Sequence, residues 1–317
     1  MDFRAWLRRV NRNRVLFPIV ALALLVVVAS SLSPHFLTPM NIKNVLSQVS
    51  IIAILAAGEA CVILTGGIDL SVGAVLAIGG SITAVLMKWA GVAIPWAILG
   101  GLTAGALAGA LNGLMVAWVR IPSFIATLAM MAVARGGTLV LTNGRPVSGF
   151  LKSFRALAGY AGPLPILFLV TFGVYVLWQV SLSHTRFGRY VYAVGGNETG
   201  ARFVGVNVRR VKLLVFTLAG LCAALGGIML DARLNAAYPT AGEGYELDAI
   251  AAAVLGGVSL SGGVGSLVGT FFGALVMTVL GNILNLLKVG AFYQYIAKGL
   301  ILAVAAVSLS RGVKFAK

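Results

Sequence analysis

The chain has 317 residues, of which 60% are hydrophobic and only 10% are charged. A soluble globular protein carries about 25% charged residues, so this sequence cannot cover itself with a polar surface and belongs to the membrane class. Its 24 Lys and Arg residues against 8 Asp and Glu residues would favour nucleic acid in a soluble protein. In a membrane protein such an excess follows topology, and we expect no nucleic-acid partner.

Ten apolar segments are long enough, or nearly so, to cross the hydrocarbon core, which takes about 20 residues of helix. Because lipid permits only helices or closed barrels, these continuous runs predict an all-α polytopic membrane protein with about ten transmembrane helices. We expect a single transmembrane domain over residues 1–317. The predicted spans are 15–32, 45–65, 70–87, 95–118, 122–141, 164–182, 213–230, 247–260, 264–287 and 291–309.

The basic residues predict the orientation. If the N-terminus lies inside, fifteen of the 24 Lys and Arg residues fall in inner segments and eight in outer ones, as the positive-inside rule requires. We therefore expect a basic cytoplasmic tail over 1–14, a cytoplasmic loop over 183–212, a periplasmic loop over 231–246, and both termini in the cytoplasm.

A glycine-rich stretch interrupts the apolar pattern twice. Residues 66–79, GGIDLSVGAVLAIG, align with residues 256–269, GGVSLSGGVGSLVG, at an offset of 190. Irregular backbone at membrane depth is tolerated only beside protein or a wet cavity, and paired interruptions in two halves point to a transport pathway. The sequence thus predicts two related halves with glycine-interrupted helices. The predicted helix-break glycines are Gly66, Gly67, Gly73, Gly256, Gly257 and Gly263.

Polar side chains at membrane depth are the candidates for the translocation pathway. Glu59 lies inside the second predicted span, Asp69 and Ser71 lie in the first interruption, and Asn112 lies late in the fourth span. An alternative stays open for each position. Glu59 can be a neutral carboxyl bonded to a neighbouring helix, Asp69 can cap a tight cytoplasmic turn, and Asn112 can bridge two helices.

Two loops carry candidate docking residues. In the inner loop, Asn197 as an N-cap and Glu198 four residues before Arg202 predict a short helix. Such a helix suits a protein partner, and a basic loop held against anionic membrane lipid is the alternative. The outer segment 231–248 carries four of the eight acids, which suit either a docking surface or a solvated loop. The docking candidates among them are Glu243, Glu246 and Asp248.

Motifs of catalysis are missing from the sequence. The dipeptide Gly-Lys never occurs, which excludes a Walker-type phosphate loop. The two histidines, His35 and His184, are far apart and lack metal-ligand spacing. We predict no catalytic residue, metal or cofactor, and any ATP hydrolysis must take place on another chain.

Several long motifs, in order, resemble the ribose-type ABC sugar permease family. They are VILTGGIDLSVGAVLAIGG, IPSFIATLAMMAVARG, LTNGRPVSG, HTRFGRYVYAVGGNETGARFVGVNV and PTAGEGYELDAIAAAVLGGVSLSGGVGSLVGT, and the likeness runs from about residue 15 to residue 310. The resemblance implies a multi-pass subunit of the bacterial inner membrane that works as a pair of copies. A cytoplasmic ABC ATPase and a periplasmic sugar-binding protein would complete an importer that moves a monosaccharide or polyol by ATP-driven alternating access.

The resemblance also implies that the GGNETGARFVGVNV segment couples the permease to the ATPase. Members of the family often have two alanines where this chain has Thr199 and Gly200, and many have Met or Gln in place of Glu59. The residues expected to touch the ATPase are Asn197, Glu198, Ala201, Arg202 and Gly205. An ion-coupled secondary transporter of a small polar solute is the alternative, which Glu59, Asp69 and the internal repeat suggest.

Overall fold

The computed structural model describes residues 15–300 and residue 303, and helices dominate them. The predicted tail 1–14 lies outside the described residues. The tenth predicted span, 291–309, is described to residue 300 and at residue 303. The helices are α1 (Leu16–Leu32), α2 (Pro39–Leu64), α3 (Val72–Lys88), α4 (Ile94–Leu114), α5 (Ser123–Thr142), α6 (Lys152–Arg155), α7 (Ile166–His184), α8 (Arg186–Gly196), α9 (Glu198–Phe203), α10 (Val208–Leu234), α11 (Tyr245–Leu255) and α12 (Leu267–Leu286).

Smaller elements complete the description. A helix that we label α13 begins at residue 291 and is described to residue 300. A π-helical segment, Met115–Val119, extends α4, and a 3₁₀ turn, Ala156–Ala158, follows α6. Four short strands form two antiparallel ribbons. They are β1 (Val147–Ser148) with β4 (Ala236–Ala237), and β2 (Tyr160–Ala161) with β3 (Leu164–Pro165).

Six of the described helices are long and apolar enough to cross a membrane, namely α2, α4 with its π-helical extension, α5, α7, α10 and α12. The apolar helices α1 and α3 have 17 residues each, and α11 has 11. The all-α polytopic class is confirmed. Each of the ten predicted spans overlaps a helix, but ten crossings are not confirmed by these lengths.

Polar side chains fix where several helices begin. Thr38, Thr185, Asn197, Asn207 and Ser266 each accept a hydrogen bond from a backbone N–H in the first turn of α2, α8, α9, α10 and α12. The first N–H groups of a helix have no partner within it, so these N-caps satisfy donors that would otherwise be exposed to lipid or protein interior.

Helix α2 lies at the centre of the bundle. Every residue from Val49 to Leu64 is buried, and the helices that pack most extensively against α2 are α7, α10, α11 and α12. A helix that is apolar on all sides belongs in such a position. The polar residues it carries at depth are therefore enclosed by protein and not by lipid.

Glycines bring α4 and α10 into close backbone contact. A Cβ atom on Gly109 would meet the carbonyl oxygen of Phe216, and one on Gly105 would meet the carbonyl oxygen of Gly220. Helices in lipid associate through such small-residue faces, because packing rather than water exclusion holds them together.

The bundle has two ends that matter below. We call one the α9 end. There α2 finishes and α5, α10 and α12 begin. Helix α8 packs against α2 and α10 at this end, and its Tyr192 Oη donates to the carbonyl of Gly265, just before α12, at 3.1 Å. At the opposite end α2 and α11 begin and α10 and α12 finish. The side chains of Asn41 and Asn282 exchange two hydrogen bonds there, at 2.9 and 2.8 Å.

Gly109→Ala should lower the thermal unfolding temperature of the detergent-solubilised protein, because the added methyl group forces α4 away from α10. Overpacking of this kind costs about 1–3 kcal/mol. Gly136→Ala is the matched control: it lies in α5 with open space around its Cβ position, so better helix propensity should leave stability equal or higher. Equal unfolding temperatures for both variants would contradict the close approach.

Candidate functional site

The first interruption, residues 65–71, opens with a helix C-cap. Gly66 N–H donates to the carbonyl of Ile63 at 2.8 Å, and Gly67 N–H donates to the carbonyl of Val62 at 3.1 Å. These bonds form a Schellman motif. Gly66 has φ of 80°, a left-handed conformation that glycine adopts without a Cβ clash. Helix α2 therefore ends at the pair of glycines that the sequence analysis singled out, Gly66 and Gly67.

The chain then turns back beside α2. Asp69 N–H donates to Glu59 Oε1 at 3.1 Å, and Glu59 lies five residues before the end of α2, about 7.5 Å along its axis. Asp69 Oδ1 accepts from the N–H and the hydroxyl of Ser71 at 2.8 and 2.6 Å. Asn112 Nδ2 donates to the Ser71 hydroxyl at 2.9 Å. The four polar residues singled out in the sequence therefore form one network.

Helix α5 satisfies the remaining backbone donors of this interruption. Ile68 N–H donates to Ser123 Oγ at 3.0 Å, and Leu70 N–H donates to Thr127 Oγ1 at 3.1 Å. Every N–H from residue 66 to residue 71 thus has a partner. Sequence reasoning missed both hydroxyls. The signal available was two hydroxyl residues, four apart, at the start of an apolar span.

The network is closed to the surface of the chain. Glu59, Asp69, Ser71 and Asn112 are each at most 1% exposed, and they do not line the cleft that lies next to the interruption. Glu59 Oε2 and Asn112 Oδ1 are buried without a hydrogen-bond partner among the described residues. In this arrangement the four side chains fix the backbone of the interruption.

The second interruption, residues 256–266, begins in the same way. Gly257 N–H donates to the carbonyl of Val254 at 2.9 Å, and Val258 N–H donates to the carbonyl of Ala253 at 3.0 Å. Gly257 has φ of 86°, so it corresponds to Gly66 at an offset of 191, one more than the sequence alignment gave. The second interruption is longer than the first.

One predicted break glycine lies elsewhere. Gly73 is the second residue of α3 and not part of the interruption. Close packing explains why this position has no side chain. A Cβ atom on Gly73 would meet the carbonyl of Gly242, in the loop before α11, and the carboxylate of Glu246 at the start of α11.

The two interruptions touch each other and α8. Gly263 N–H donates to the carbonyl of Leu64 at 2.9 Å. A Cβ atom on Gly195 of α8 would meet that same carbonyl and the nitrogen of Gly263, and one on Gly262 would meet Gly195. The end of α8 is therefore in backbone contact with both interruptions, directly before α9.

Helix α9 confirms the short helix predicted in the inner loop. Asn197 Oδ1 accepts from Gly200 N–H at 2.8 Å, and Glu198 pairs with Arg202 and, at 2.7 Å, with Lys212. Partial burial by itself raises the pKa of the Glu198 carboxyl, but the bonds with Lys212 and Arg202 outweigh this and hold its pKa below the ordinary value. The carboxylate is therefore ionised at neutral pH.

The tip of α9 is apolar and exposed. Phe203 and Val204 are 87% and 79% exposed, whereas Ala201 is buried, and Gly205 ends the turn with φ of 84°. A cleft of about 330 Å³ lies between α9 and the first interruption, and Arg120 and Lys212 line it. Exposed aromatic surface next to a basic cleft is typical of a protein contact.

The three acids predicted to dock a partner have different environments. Only Glu243 is exposed. Glu246 is half-buried and accepts from Gly244 N–H at 3.2 Å. Asp248 is buried and pairs with Lys298 at 2.7 Å, so the structure corrects its assignment: it is an internal ion-pair partner and not a surface contact. Charged side chains are rarely this buried without such a partner.

The predicted outer loop 231–246 is shorter in the structure. Residues 231–234 belong to α10 and residues 245–246 to α11, which leaves 235–244 as the connection. The guanidinium of Arg135 on α5 binds the carbonyls of Pro239 and Ala241 at 2.8 and 2.9 Å. Arg135 therefore holds the middle of this connection against α5.

A protein-family model described as the permease component of the branched-chain amino acid transport system matches residues 41–306. The match includes both interruptions, α8 and α9. It covers most of the chain, so it bears on the whole bundle and not on one motif.

Proteins of known role are similar over nearly their full length. The ribose import permease protein of Escherichia coli (strain K12) is 47% identical over 296 residues, 90% of this chain and 91% of that protein. The ribose import permease protein of Bacillus subtilis (strain 168) is 47% identical over 291 residues, 91% of this chain and 90% of that protein. The xylose transport system permease protein of E. coli (strain K12) is 36% identical over 334 residues, 85% of this chain and 84% of that protein.

Asp69→Asn and Glu59→Gln should leave the unfolding temperature in detergent nearly unchanged, because the amide oxygens still accept the hydrogen bonds that the carboxylates accept. Asp69→Ala and Glu59→Ala should lower it, because each leaves a buried backbone N–H without a partner at a cost of about 1–3 kcal/mol.

Uptake by the same four variants separates two roles of the network. Amide variants that transport normally indicate a structural network. If Asp69→Asn were as damaging as Asp69→Ala, the negative charge itself would be required, and the structural account of this network would be wrong.

Proposed function

Since the chain belongs to the family of branched-chain amino acid transport system permease components, we propose that it imports a monosaccharide or a related polyol across the bacterial inner membrane. The observation that supports a sugar as the cargo is the 47% identity to ribose import permeases over nine-tenths of both chains. A xylose transport permease is also similar over most of its length. The resemblance to ribose-type ABC sugar permeases that the motifs indicated is confirmed.

The chain is a transport component and not an enzyme, and a separate ABC ATPase supplies the energy. A periplasmic binding protein delivers the cargo to such importers. We propose that the ATPase docks on α9, through Asn197, Glu198, Ala201, Arg202 and Gly205 as the resemblance implies. The exposed tip supports this, because Phe203 and Val204 extend the same surface with apolar area that no described helix covers.

The contact of α8 with both interruptions suggests how ATPase motion reaches the pathway. Backbone atoms of Gly195 lie against Leu64 and Gly263, so a displacement of α9 displaces α8 and both interruptions together. We propose that Glu59, Asp69, Ser71 and Asn112 serve translocation by holding the first interruption in shape while it moves. Interfaces packed this tightly shift between discrete states and do not deform gradually.

For the orientation, we propose that the α9 end faces the cytoplasm. Four basic side chains line the cleft at this end, as the positive-inside rule requires; they are Arg120, Arg202, Arg209 and Lys212. Phe36, which follows α1, packs with Val279 and Ile283 near the C-terminal end of α12. Helix α1 therefore ends opposite α9 and begins at the α9 end. Both termini would then lie inside, and the exposed Glu243 would face the periplasmic binding protein.

We further propose that two copies pair in the importer and that each crosses the membrane ten times. The pairing follows from the family resemblance. Ten crossings add α1, α3, α11 and α13 to the six long helices, and an even number keeps both termini on one side. One hydrophobic core joins α2, α3, α10, α11 and α12, which supports a single domain.

An ion-coupled secondary transporter is the second candidate, and one observation favours it. The carboxyl of Glu59 is bonded to the backbone of Asp69 inside the bundle, and neighbouring acids at membrane depth often carry coupling protons.

Uptake into proteoliposomes separates the two candidates. The permease is reconstituted with its ATPase, and sugar-loaded binding protein is added. Sugar uptake should require ATP and persist when a protonophore collapses the proton gradient. Uptake by the permease without the ATPase, lost on addition of the protonophore, would contradict the proposal.

Phe203→Asp should abolish co-purification of the ATPase with the permease and reduce ATP-driven uptake at least tenfold, because a charge replaces apolar area at the centre of the contact. The variant should fold normally, since Phe203 is almost fully exposed. Leu151→Asp is the control: Leu151 is also exposed but lies at the opposite end, and its variant should retain the ATPase. Retention of the ATPase by both variants would argue against docking on α9.

A further inference from the structure

A second polar cavity lies at the end of the bundle opposite α9. Its volume is about 210 Å³, and five helices, α2, α10, α11, α12 and α13, converge on it. The polar side chains that line it include Gln48, Arg233, Asp248, Thr278, Asn285 and Gln294. None of them is among the pathway candidates read from the sequence, which are closed inside the bundle.

Two buried atoms at this cavity have no partner. Asp248 Oδ2 pairs with Lys298 at 2.7 Å, but Asp248 Oδ1 is buried without a hydrogen bond among the described residues, and so is Thr278 Oγ1. Both side chains line the cavity and are at least nine-tenths buried. Glu59 Oε2 and Asn112 Oδ1 are unpartnered too, but their residues line neither this cavity nor the cleft at the α9 end. Buried polar atoms are almost always satisfied in folded proteins, so the two on residues that line this cavity point to a molecule that binds here.

The chemistry of the lining fits a neutral polyhydroxylated molecule. A sugar hydroxyl both donates and accepts, as do the amides of Gln48 and Asn285. The free oxygen of Asp248 requires a donor, which a hydroxyl supplies and an anion does not. Lys298 neutralises that carboxylate, and Arg233 adds a positive charge to the lining, so the cavity does not suit a cationic ligand.

The size of the cavity also limits the ligand. Cavities for drug-sized molecules measure about 300–1,000 Å³, so about 210 Å³ suits one sugar ring. An amino acid with an aliphatic side chain is the rival occupant, given the family description. Ile51, Ile52 and Met277 also line the cavity, but polar side chains outnumber them. An aliphatic side chain would strip water from those polar groups without replacing their hydrogen bonds, which is costly.

The position of the cavity suits a cargo that arrives from the binding protein. Gln48 lies 16 residues before Leu64 on α2, which is about 24 Å from the α9 end along the helix axis. The cavity also joins the two halves of the chain, because α2 belongs to the first half and α11 and α12 belong to the second.

We propose that this cavity is the site at which the permease meets the sugar on the side opposite α9, with Asp248, Thr278 and Gln48 as hydrogen-bonding contacts to its hydroxyls. The proposal rests on the proposed function of a sugar importer, and it adds the contact site and the residues that recognise the cargo.

The test measures D-ribose uptake and ATP hydrolysis by the complete transporter in proteoliposomes, with saturating ribose-loaded binding protein. Thr278→Val and Gln48→Met keep side-chain size and leave the Asp248–Lys298 pair intact. Each should lower uptake about three- to tenfold, as the loss of one hydrogen bond predicts, while ATP hydrolysis stays within twofold of the parent. Thr138→Val is the matched control, because Thr138 is a buried threonine of α5 that bonds only within its own helix.

The outcomes separate this inference from the proposed function. If the parent transporter imports ribose and both variants match it, or if they lose no more uptake than Thr138→Val, the cavity is not the contact site. If the parent imports L-leucine and no sugar, the proposed cargo and this inference both fail. Normal ribose import by Thr138→Val, with reduced import by the other two variants, supports the site.

A second measurement holds even if Thr278→Val or Gln48→Met is unstable. Asn285→Cys places a thiol on the exposed rim of the cavity, and the two native cysteines are buried. A hydrophilic maleimide should label this variant and block ribose uptake. Labelling that leaves uptake unchanged, or no labelling, would overturn the proposal.

Discussion

The fold depends on one constraint: backbone that leaves a helix inside the bundle must have every hydrogen-bond donor satisfied by protein. Residues 66–71 meet this constraint with six consecutive partnered N–H groups. The acceptors come from α2, from the interruption itself and from α5, with Glu59, Ser123 and Thr127 as the distant ones. An unpartnered group in this environment costs several kcal/mol, so the three segments are locked to one another at this point. This explains why a polar sequence is stable in an apolar chain.

The same constraint links the two ends of the molecule. At the α9 end, closely packed glycines bring both interruptions and α8 into one contact. At the opposite end, the polar groups of α11 and α12 are not all satisfied, and Asp248 and Thr278 keep free oxygens. At the α9 end the backbone N–H groups of residues 66–71 are all partnered, although Glu59 Oε2 and Asn112 Oδ1 are not, and a fully bonded backbone suits a mechanical joint. Unpartnered side-chain oxygens on residues that line an open cavity suit a site that exchanges ligands. The two chemical environments fit a permease that is driven from one side and receives its cargo on the other.

The all-α class and the cap at Asn197 could be predicted from the sequence, because each depends on local pattern. Ten crossings are not confirmed, because α1, α3 and α11 are shorter than a full crossing. The sequence did not predict which side chains meet. Ser123 and Thr127 look like ordinary helix-start residues until α5 is placed beside the interruption. Asp248 looked like a surface acid, because its partner Lys298 lies 50 residues away inside another apolar segment. Such pairings depend on tertiary packing, which neither periodicity nor charge counts contain.

The central claim is that the α9 end faces the cytoplasm, where a separate motor drives it. The most direct measurement is labelling of Val204→Cys with a membrane-impermeant thiol reagent, since Val204 is highly exposed and the native cysteines are buried. The account predicts labelling in inside-out membrane vesicles from cells that lack the ATPase, which would otherwise cover Val204, and none in intact spheroplasts. Labelling in spheroplasts and not in inside-out vesicles would place α9 in the periplasm, out of reach of any ATPase, and would contradict the account.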